Sequence, residues 1–151
     1  MTLDLIDEIK ERLSEKLSNL EIRSARRIYS EVNPKNLIDV AKVLFMDLGL
    51  RFVTASGVDA PQAFEILYHF SFDKTGQMFS LRVFLKDKDK PEIESITPLF
   101  KAAEWIEREM HEILGIDFKN HPNLSHLLLA DDWPEGEFPL RHKHKEEKNE
   151  P

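Results

Sequence analysis

The sequence has no cysteine, only five glycines and no long hydrophobic run in its 151 residues. Without cysteine the chain cannot form a disulfide, use a thiolate nucleophile or supply sulfur ligands to zinc or an iron–sulfur cluster. The longest wholly apolar runs, residues 43–46 and 127–130, have four residues each, whereas about 20 are needed to cross a bilayer. The first residues, Met1 to Asp4, lack the basic and apolar regions of a signal peptide. We therefore expect a soluble, cytoplasmic protein.

The residues that are present have the composition of one globular domain. Hydrophobic residues make up 41% of the chain and charged residues 32%, which is enough apolar material for a core in a chain of this length. The 21 Lys and Arg residues are outnumbered by 28 Asp and Glu residues, so the formal charge is -7. Because this charge repels phosphate backbones, the sequence does not favour nucleic-acid binding.

Hydrophobic periodicity predicts the secondary structure. Apolar residues recur every three or four positions from Leu5 to Leu20, which predicts an amphipathic helix. Large apolar side chains fall at every second position from Phe64 to Phe72, which predicts a strand, and Asp73 to Gly76 predicts the turn that follows it. The other predicted elements are a strand within residues 20–32, a helix from Asn33 to Gly49, a strand from Leu50 to Ala55, a loop from Gly57 to Pro61, strands from Met78 to Leu85 and from Ile93 to Ile96, and a helix from Thr97 to Gly115.

This order of elements predicts an α+β fold in two layers, with a mixed, mostly antiparallel sheet packed with helices and followed by an extended C-terminal tail. Residues 1–115 form the predicted core domain. Residues 116–140 are too apolar for a solvated tail and too interrupted by proline for a long helix, so we interpret them as an extended segment that wraps around a partner. Residues 141–151 are almost entirely charged or His, and we expect them to be disordered.

Few residues point to catalysis. The sequence has no Gly-x-Ser-x-Gly elbow and no glycine-rich phosphate loop. Glu107 and His111 lie four residues apart on one predicted helix face, and with His121 as a third ligand they leave a stand-alone metal-dependent hydrolase as one alternative. A free-standing interaction module unrelated to redox chemistry is another. A solvated or interfacial helix face is the simpler interpretation of the same residues.

The predicted helix that ends at Gly115 also carries a group of residues typical of protein interfaces. Trp105 supplies a large aromatic anchor, and Arg108, between Glu107 and Glu109, supplies a guanidinium that binds carboxylates bidentately. The same spacing fits an ordinary surface helix, so both interpretations stay open at this point.

The last third of the chain carries several motifs in a fixed order. They are the run from Glu104 to Ile116 (EWIEREMHEILGI), His121-Pro122-Asn123-Leu124, Leu127-Leu128, Asp131-Asp132-Trp133 and Pro139-Leu140-Arg141. This series resembles the signature of the family of C-type subunits of respiratory complex I (NADH dehydrogenase). That family includes the equivalent small subunits of energy-converting membrane-bound nickel–iron hydrogenases and of related ferredoxin-linked complexes.

The resemblance implies a peripheral-arm structural subunit with no catalytic, cofactor-binding or metal-binding residue of its own. Iron–sulfur clusters, and in the hydrogenases a nickel–iron site, would belong to partner subunits. The partners would be a large protein, similar to the D-type subunit of complex I, and a small iron–sulfur subunit, and membrane contact at the inner face of the cell membrane would be made only through other subunits. The residues that the resemblance assigns to the partner interface are Trp105, Glu107, Arg108, Glu109, His121, Pro122, Leu124, Leu128, Asp132, Trp133, Pro139, Leu140 and Arg141.

Three departures from the family pattern bear on the type of complex. His111-Glu112 stands where the family commonly has Tyr-Asp, and Ser125-His126 stands where it has Arg-Arg. After Arg141 the chain continues with residues 142–145 (HKHK), whereas quinone-linked members continue Lys-Asp-Phe-Pro. We therefore expect an energy-converting hydrogenase or another ferredoxin-linked complex, with the C-type subunit of an NADH:quinone oxidoreductase as the alternative.

Overall fold

The computed structural model of the protein describes residues 4–142. Its helices and strands are α1 (Leu5–Leu13), β1 (Leu17–Ser24), β2 (Arg27–Val32), α2 (Leu37–Lys42), β3 (Arg51–Asp59), β4 (Phe64–Phe72), β5 (Gln77–Leu85), β6 (Glu92–Glu94), α3 (Glu104–Leu114) and β7 (Asp117–Lys119). Short 3-10 turns at Pro34–Asn36 and Lys101–Ala103 lead into α2 and α3, and a π-helical turn at Val43–Asp47 follows α2. Within residues 4–142, no helix is long and apolar enough to cross a bilayer.

The β4–β5 hairpin is the centre of the sheet. On β4 the side chains of Phe64, Ile66, Tyr68 and Phe70 are buried, as the period of two predicts. The strands pair without a register shift from Phe64 opposite Leu85 to Phe72 opposite Gln77. The strand order is β1-β2-β5-β4-β3, and only the β2–β5 pairing among these neighbours is parallel. The predicted α+β fold with a mixed, mostly antiparallel sheet is confirmed.

One face of this sheet forms the core and the other faces outward. Ile9 of α1 and Leu114 of α3 belong to the same hydrophobic cluster as Ile66 of the sheet. On the opposite face, Arg82 forms an ion pair with Glu65 at 2.7 Å, with both side chains only partly buried. The helices therefore form one layer and the sheet forms the other.

The first predicted helix is too long. Helix α1 ends at Leu13, and Leu17 and Leu20 lie in β1, because β1 pairs with β2 in an antiparallel hairpin. The predicted loop at residues 57–61 is also wrong at its start, since Gly57 lies within β3, opposite Ile66.

Helix α3 begins later than the sequence predicts. Thr97-Pro98 opens a turn, and regular α-helix starts at Glu104. The helix ends at Gly115, which has a φ of 75°, and this left-handed conformation is the one that glycine adopts most easily. Strand β7 then pairs with β6 in a parallel ladder, and its Phe118 is buried in the core. Residues 117–119 therefore pack with the core as a strand, on the C-terminal side of the predicted boundary at residue 115.

Candidate partner-docking site

Helix α3 is the platform of the candidate site. It lies close to β3 because Gly57 has no side chain: a Cβ at this position would lie 2.8 Å from Leu114 Cδ1 and 3.0 Å from Met110 Sδ. The buried side chains of Met110 and Leu114 fix the inner face of the helix against the core. Side chains on the remaining faces of α3 bind the segments that precede and follow the helix in sequence.

Glu107 holds the loop that precedes the helix. Its carboxylate is fully buried, and Oε1 accepts hydrogen bonds from the amides of Ile96 at 2.9 Å and Thr97 at 3.1 Å and from the Thr97 hydroxyl at 3.2 Å. Burial raises the pKa of Glu107 to about 7, although these hydrogen bonds oppose the rise. Glu107 therefore contacts its own chain and not a surface where a partner would bind.

Glu112 holds the chain that follows the helix. The amides of Leu127, Leu128 and Leu129 donate to its carboxylate at 2.9, 2.6 and 3.4 Å, and His126 Nδ1 lies 3.3 Å from Oε2. Burial alone would raise the pKa of Glu112, but the three amide hydrogen bonds and His126 outweigh it and lower the pKa below its usual value. The ionised carboxylate is thus the form that fixes residues 126–129.

Arg108, one helical turn before Glu112, holds the same segment. Its guanidinium donates to the carbonyl of Ser125 at 3.1 Å and to the carbonyl of His126 at 2.7 Å. His121 secures the chain further upstream, since Nε2 donates to the Glu104 carbonyl at 3.1 Å and Nδ1 accepts from the Asn123 amide at 2.9 Å. Residues 121–129 are therefore fastened along one side of α3.

Arg141 forms a second attachment at the C-terminal end of α3. Its Nε donates to the Leu114 carbonyl at 2.6 Å, and the amide of Leu140 donates to the Ile113 carbonyl at 3.0 Å. These bonds use carbonyl groups that a helix end leaves without partners. The Arg141 guanidinium also lies over the rings of Phe64 and Phe138, at 5.0 and 4.5 Å from their centroids.

A partly buried ion pair extends this attachment to the core. The Asp59 carboxylate pairs with Lys88 and accepts from the His142 amide at 2.9 Å. Lys88 Nζ also donates to the Ala60 carbonyl at 2.8 Å. Burial opposes ionisation of Asp59, but Lys88 and the His142 amide outweigh it and lower its pKa. Residues 120–142, which we call the C-terminal arm, are thus fixed near both ends, and residues 130–137 form the loop between.

The other predicted interface residues differ in their exposure. Trp105, Leu128 and Leu140 are 67, 66 and 56% exposed. Pro122, Asp132 and Pro139 are exposed as well, while Glu109, Leu124 and Trp133 are half-buried. The Trp133 indole donates to the Glu137 carbonyl at 2.8 Å, which closes the loop at residues 133–137.

The three residues of the alternative metal site are not brought together. Glu107 faces Thr97, His121 bonds the Glu104 carbonyl, and His111 Nδ1 lies 2.8 Å from the Ile116 carbonyl. Across the range that the structure covers, from 4 to 142, no three His, Asp or Glu side chains are grouped to hold a metal ion.

Two groups that build the site were not predicted from the sequence. The spacing of four between Arg108 and Glu112 predicts that the two side chains share a helix face, but it does not predict that Glu112 accepts the amides of Leu127, Leu128 and Leu129. Asp59 and Lys88 gave no sequence signal, since Asp59 and His142 are 83 residues apart. Only the fold brings them together.

The fold and the site define an α+β protein that carries a C-terminal arm fastened across one helix, with large apolar side chains left exposed. A family model described as the 30 Kd subunit of respiratory-chain NADH dehydrogenase matches residues 30–150. The chain belongs to this family, the C-type subunits of complex-I-like oxidoreductases, as the resemblance predicted.

Individual relatives support this assignment. The chain is 36% identical over 140 residues to the C subunit of F(420)H(2) dehydrogenase from Methanosarcina mazei, with 91% of this chain and 87% of that protein covered. It is 31% identical over 122 residues to the C/D subunit of NADH-quinone oxidoreductase from Bacteroides thetaiotaomicron, covering 79% of this chain but only 22% of that longer protein.

A solved structure shows the same fold. A chain in the membrane-bound sulfane sulfur reductase, an archaeal respiratory membrane complex, superimposes with a TM-score of 0.81 over 91% of this chain and 81% of that one, at 21% identity.

Proposed function

We propose that this chain is a non-catalytic, cofactor-free structural subunit in the peripheral arm of a membrane-bound complex-I-like oxidoreductase. Its C-terminal arm docks on the large, D-type protein and on the small iron–sulfur subunit. Iron–sulfur clusters, and a nickel–iron site where the complex is a hydrogenase, reside in those partners. The chain reaches the cytoplasmic face of the membrane only through the other subunits of the complex.

The exposed side chains of the platform and arm carry this proposal. Trp105, Leu128 and Leu140 are each more than half exposed, and burying a leucine side chain completely is worth about 1.5 to 3 kcal/mol. An exposed tryptophan such as Trp105 is a common anchor of protein interfaces. A partner that covers them gains binding energy without requiring a change in this chain.

The type of partner is supported by the fused relative. In the Bacteroides C/D protein, the region matched by this chain covers 22% of a longer polypeptide, so a C-type and a D-type segment occur in one chain. Two proteins that are fused in one organism commonly assemble as separate chains in another, which favours the large D-type protein as the partner here.

The absence of cysteine fits a role in assembly. Because the chain has no thiolate to ligate an iron–sulfur cluster, electron carriers of that kind must be held by neighbours. Its contribution is then mechanical, since a rigid subunit that fixes the loops of a catalytic neighbour preorganises a site to which it donates no reacting atom.

Co-purification of variants from the native host tests the docking surface. The paired change Leu128→Asp and Leu140→Asp places charges where the partner would bury apolar groups, and we expect it to remove the large subunit from the purified complex. The matched control is Ile22→Asp on β1, which is 52% exposed but lies far from the arm in the strand order. Retention of the large subunit by the arm variant, or its loss from the control, would contradict the proposal.

A truncation provides a second test. Strand β7 belongs to the packed core, so the deletion should begin at Asn120 and remove every residue from there to the C-terminus. We expect a folded core that no longer assembles. An active complex containing the truncated chain would refute the role of the arm.

The reaction of the whole complex is a separate part of the proposal. The departures at His111-Glu112 and after Arg141 favour an energy-converting hydrogenase or a related ferredoxin-linked complex. A second candidate is an F420H2 dehydrogenase, favoured by the match to its C subunit over nearly the full length of both chains. The purified complex should reduce its acceptor with hydrogen or reduced ferredoxin in the first case, with reduced F420 in the second, and with NADH if the complex is an NADH:quinone oxidoreductase.

A further inference from the structure

The outward face of the sheet carries a histidine between two serine hydroxyls. His69 lies on β4, Ser56 on β3 and Ser80 on β5. Ser56 Oγ lies 3.3 Å from His69 Nε2, and Ser80 Oγ lies 2.8 Å from His69 Nδ1. Each ring nitrogen is therefore within hydrogen-bonding distance of one hydroxyl, and the three side chains form a row across three strands.

The strand pairing fixes this row. His69 lies directly opposite Ser80 in the β4–β5 ladder, which has no register shift. Ser56 lies opposite Leu67, two residues before His69 on the same face of β4, and the β3–β4 pairing is regular from Thr54 onward. Side chains at such opposite and diagonal positions of an antiparallel sheet are within reach of each other. The geometry of the row is therefore set by the backbone of the sheet.

The two serines differ in exposure. Ser80 is buried, His69 is half-buried and Ser56 is exposed. Ser80 therefore holds the ring from the inner side, whereas a reagent in solution can approach Ser56. Burial also lowers the pKa of His69 below its usual value, which favours the neutral ring at neutral pH. The neutral ring is the form that can accept a proton.

This arrangement matches the requirements for an activated hydroxyl. A neutral imidazole donates from one nitrogen and accepts at the other, so when Nδ1–H of His69 donates to Ser80 Oγ, Nε2 accepts from the Ser56 hydroxyl. A nucleophile that contacts a base, with the base held by a third group, is the arrangement used for attack on carbonyl carbon. Because β3 is the edge of the sheet, alternate amides along it point away from β4 and can donate to a carbonyl oxygen.

We propose that Ser56 is an acyl-acceptor site that reacts with activated acyl esters, with His69 as the general base and Ser80 as a positioning residue. Ser56 Oγ bonds to the carbonyl carbon while its proton passes to His69 Nε2. The bond from that carbon to the leaving oxygen then breaks, and the leaving oxygen takes the proton from Nε2. The products are an ester on Ser56 and a free alcohol.

The neighbouring residues suit an acyl group. Val58 follows Ser56 on the same face of β3 and is 49% exposed, and Leu67 on β4 is half-buried. Both offer apolar surface beside the hydroxyl. The reaction modifies this chain and takes no part in electron transfer, so the inference does not depend on the proposed docking function.

Reaction of the full chain with 4-nitrophenyl acetate tests the site, with peptide mass spectrometry to locate and time each acetyl group. We expect Ser56 to be acetylated at least 100-fold faster than Ser18, since a general base contributes about 100- to 10,000-fold. Ser18 is the matched comparison, because it is an exposed serine on β1, which β2 and β5 separate from β4. Both rates are read in the unsubstituted chain, and equal rates would show that the proposal is wrong.

Substitutions test the roles of the other two residues. His69→Gln should slow acetylation of Ser56 by about 100-fold or more and leave that of Ser18 unchanged. Ser80→Ala should also slow it, whereas Ser80→Thr, which keeps the hydroxyl, should restore the rate. Acetylation of Ser56 at an unchanged rate in His69→Gln would refute the role of the base, and an unchanged rate in Ser80→Ala would show that Ser80 does not position the ring.

Discussion

Replacement of Glu112 by glutamine isolates the attachment of the C-terminal arm with almost no change in side-chain volume. The carboxylate accepts from the amides of Leu127, Leu128 and Leu129 and lies beside His126. A glutamine side chain has one carbonyl oxygen and an NH2 group, so it cannot accept from all three amides. It also lacks the negative charge that makes these bonds strong.

The expected loss follows from the hydrogen bonds. A hydrogen bond to a charged group contributes about 1.5 to 3 kcal/mol, and one between neutral groups contributes about half as much. At the lower ends of these ranges, if two of the three bonds persist as neutral bonds and the third is lost, the attachment of residues 126–129 weakens by about 3 kcal/mol. Since each 1.36 kcal/mol corresponds to a factor of ten in an equilibrium constant, local opening increases on the order of 100-fold.

Amide hydrogen exchange at neutral pH measures this opening. In Glu112→Gln we expect the amides of Leu127 and Leu128 to exchange on the order of 100-fold faster, while the amides of β4 and β5 keep their rates. Glu109→Gln is the matched control, because Glu109 lies on the same helix and no hydrogen bond to its carboxylate is found within residues 4–142. Unchanged exchange at Leu128, or equal acceleration in the β4–β5 hairpin, would refute the reasoning.

The same attachment should depend on pH. The pKa of Glu112 is lower in the folded chain than its ordinary value, so ionised Glu112 stabilises the arm above the unfolded value of about 4.5. This stabilisation is lost as the pH falls through the folded pKa. The exchange rate of the Leu128 amide, corrected for its intrinsic pH dependence, should therefore increase in acid in the unsubstituted chain but not in Glu112→Gln.

Two further substitutions test other contacts of α3. Arg141→Ala removes the hydrogen bond to the Leu114 carbonyl and the stacking on aromatic rings, which we expect to weaken the end of the arm by about 1 to 3 kcal/mol and to speed limited proteolysis between residues 130 and 142 several-fold. Arg26→Ala, in the exposed turn between β1 and β2, should leave the cleavage rate unchanged, and equal rates in the two variants would count against the second attachment. Gly57→Ala forces a methyl group to within 2.8 Å of Leu114 and should lower the free energy of unfolding in urea by about 1 to 3 kcal/mol. A urea midpoint equal to that of the exposed-strand control Thr54→Ala would show that α3 can move away at no cost.

The sequence predicts correctly those helices and strands whose characteristic pattern lies within the element itself. The β4–β5 hairpin has a period of two on both sides of a turn that ends in Gly76, and α3 ends at a glycine with positive φ. The boundary between α1 and β1 could not be found in this way. Leu17 and Leu20 continue the helical spacing of Leu13, and only pairing with the distant strand β2 makes them part of a sheet.

The candidate site was predicted as a set of residues but not as a set of contacts. The family resemblance identified Arg108, Arg141 and Glu107 as site residues. It did not indicate that Glu107 is buried, because its burial requires the loop at residues 95–97 to fold back onto α3. Contacts between residues far apart in sequence, such as Asp59 with His142, depend on the complete fold and leave no periodic signal.

Attachment at both ends has a thermodynamic consequence for recognition. Fixing the backbone of one residue costs about 1 to 2 kcal/mol of conformational entropy at 25 °C, so a flexible arm of this length would lose much of its gross interaction energy on association. In this chain the arm is ordered during folding, so most of that entropic cost precedes association. The contacts that order it are made by Arg108 and Glu112 near one end and by Arg141 and Asp59 at the other. In the proposed docking, the partner binds a segment that folding has already ordered, so its affinity depends on shape complementarity with little loss to ordering.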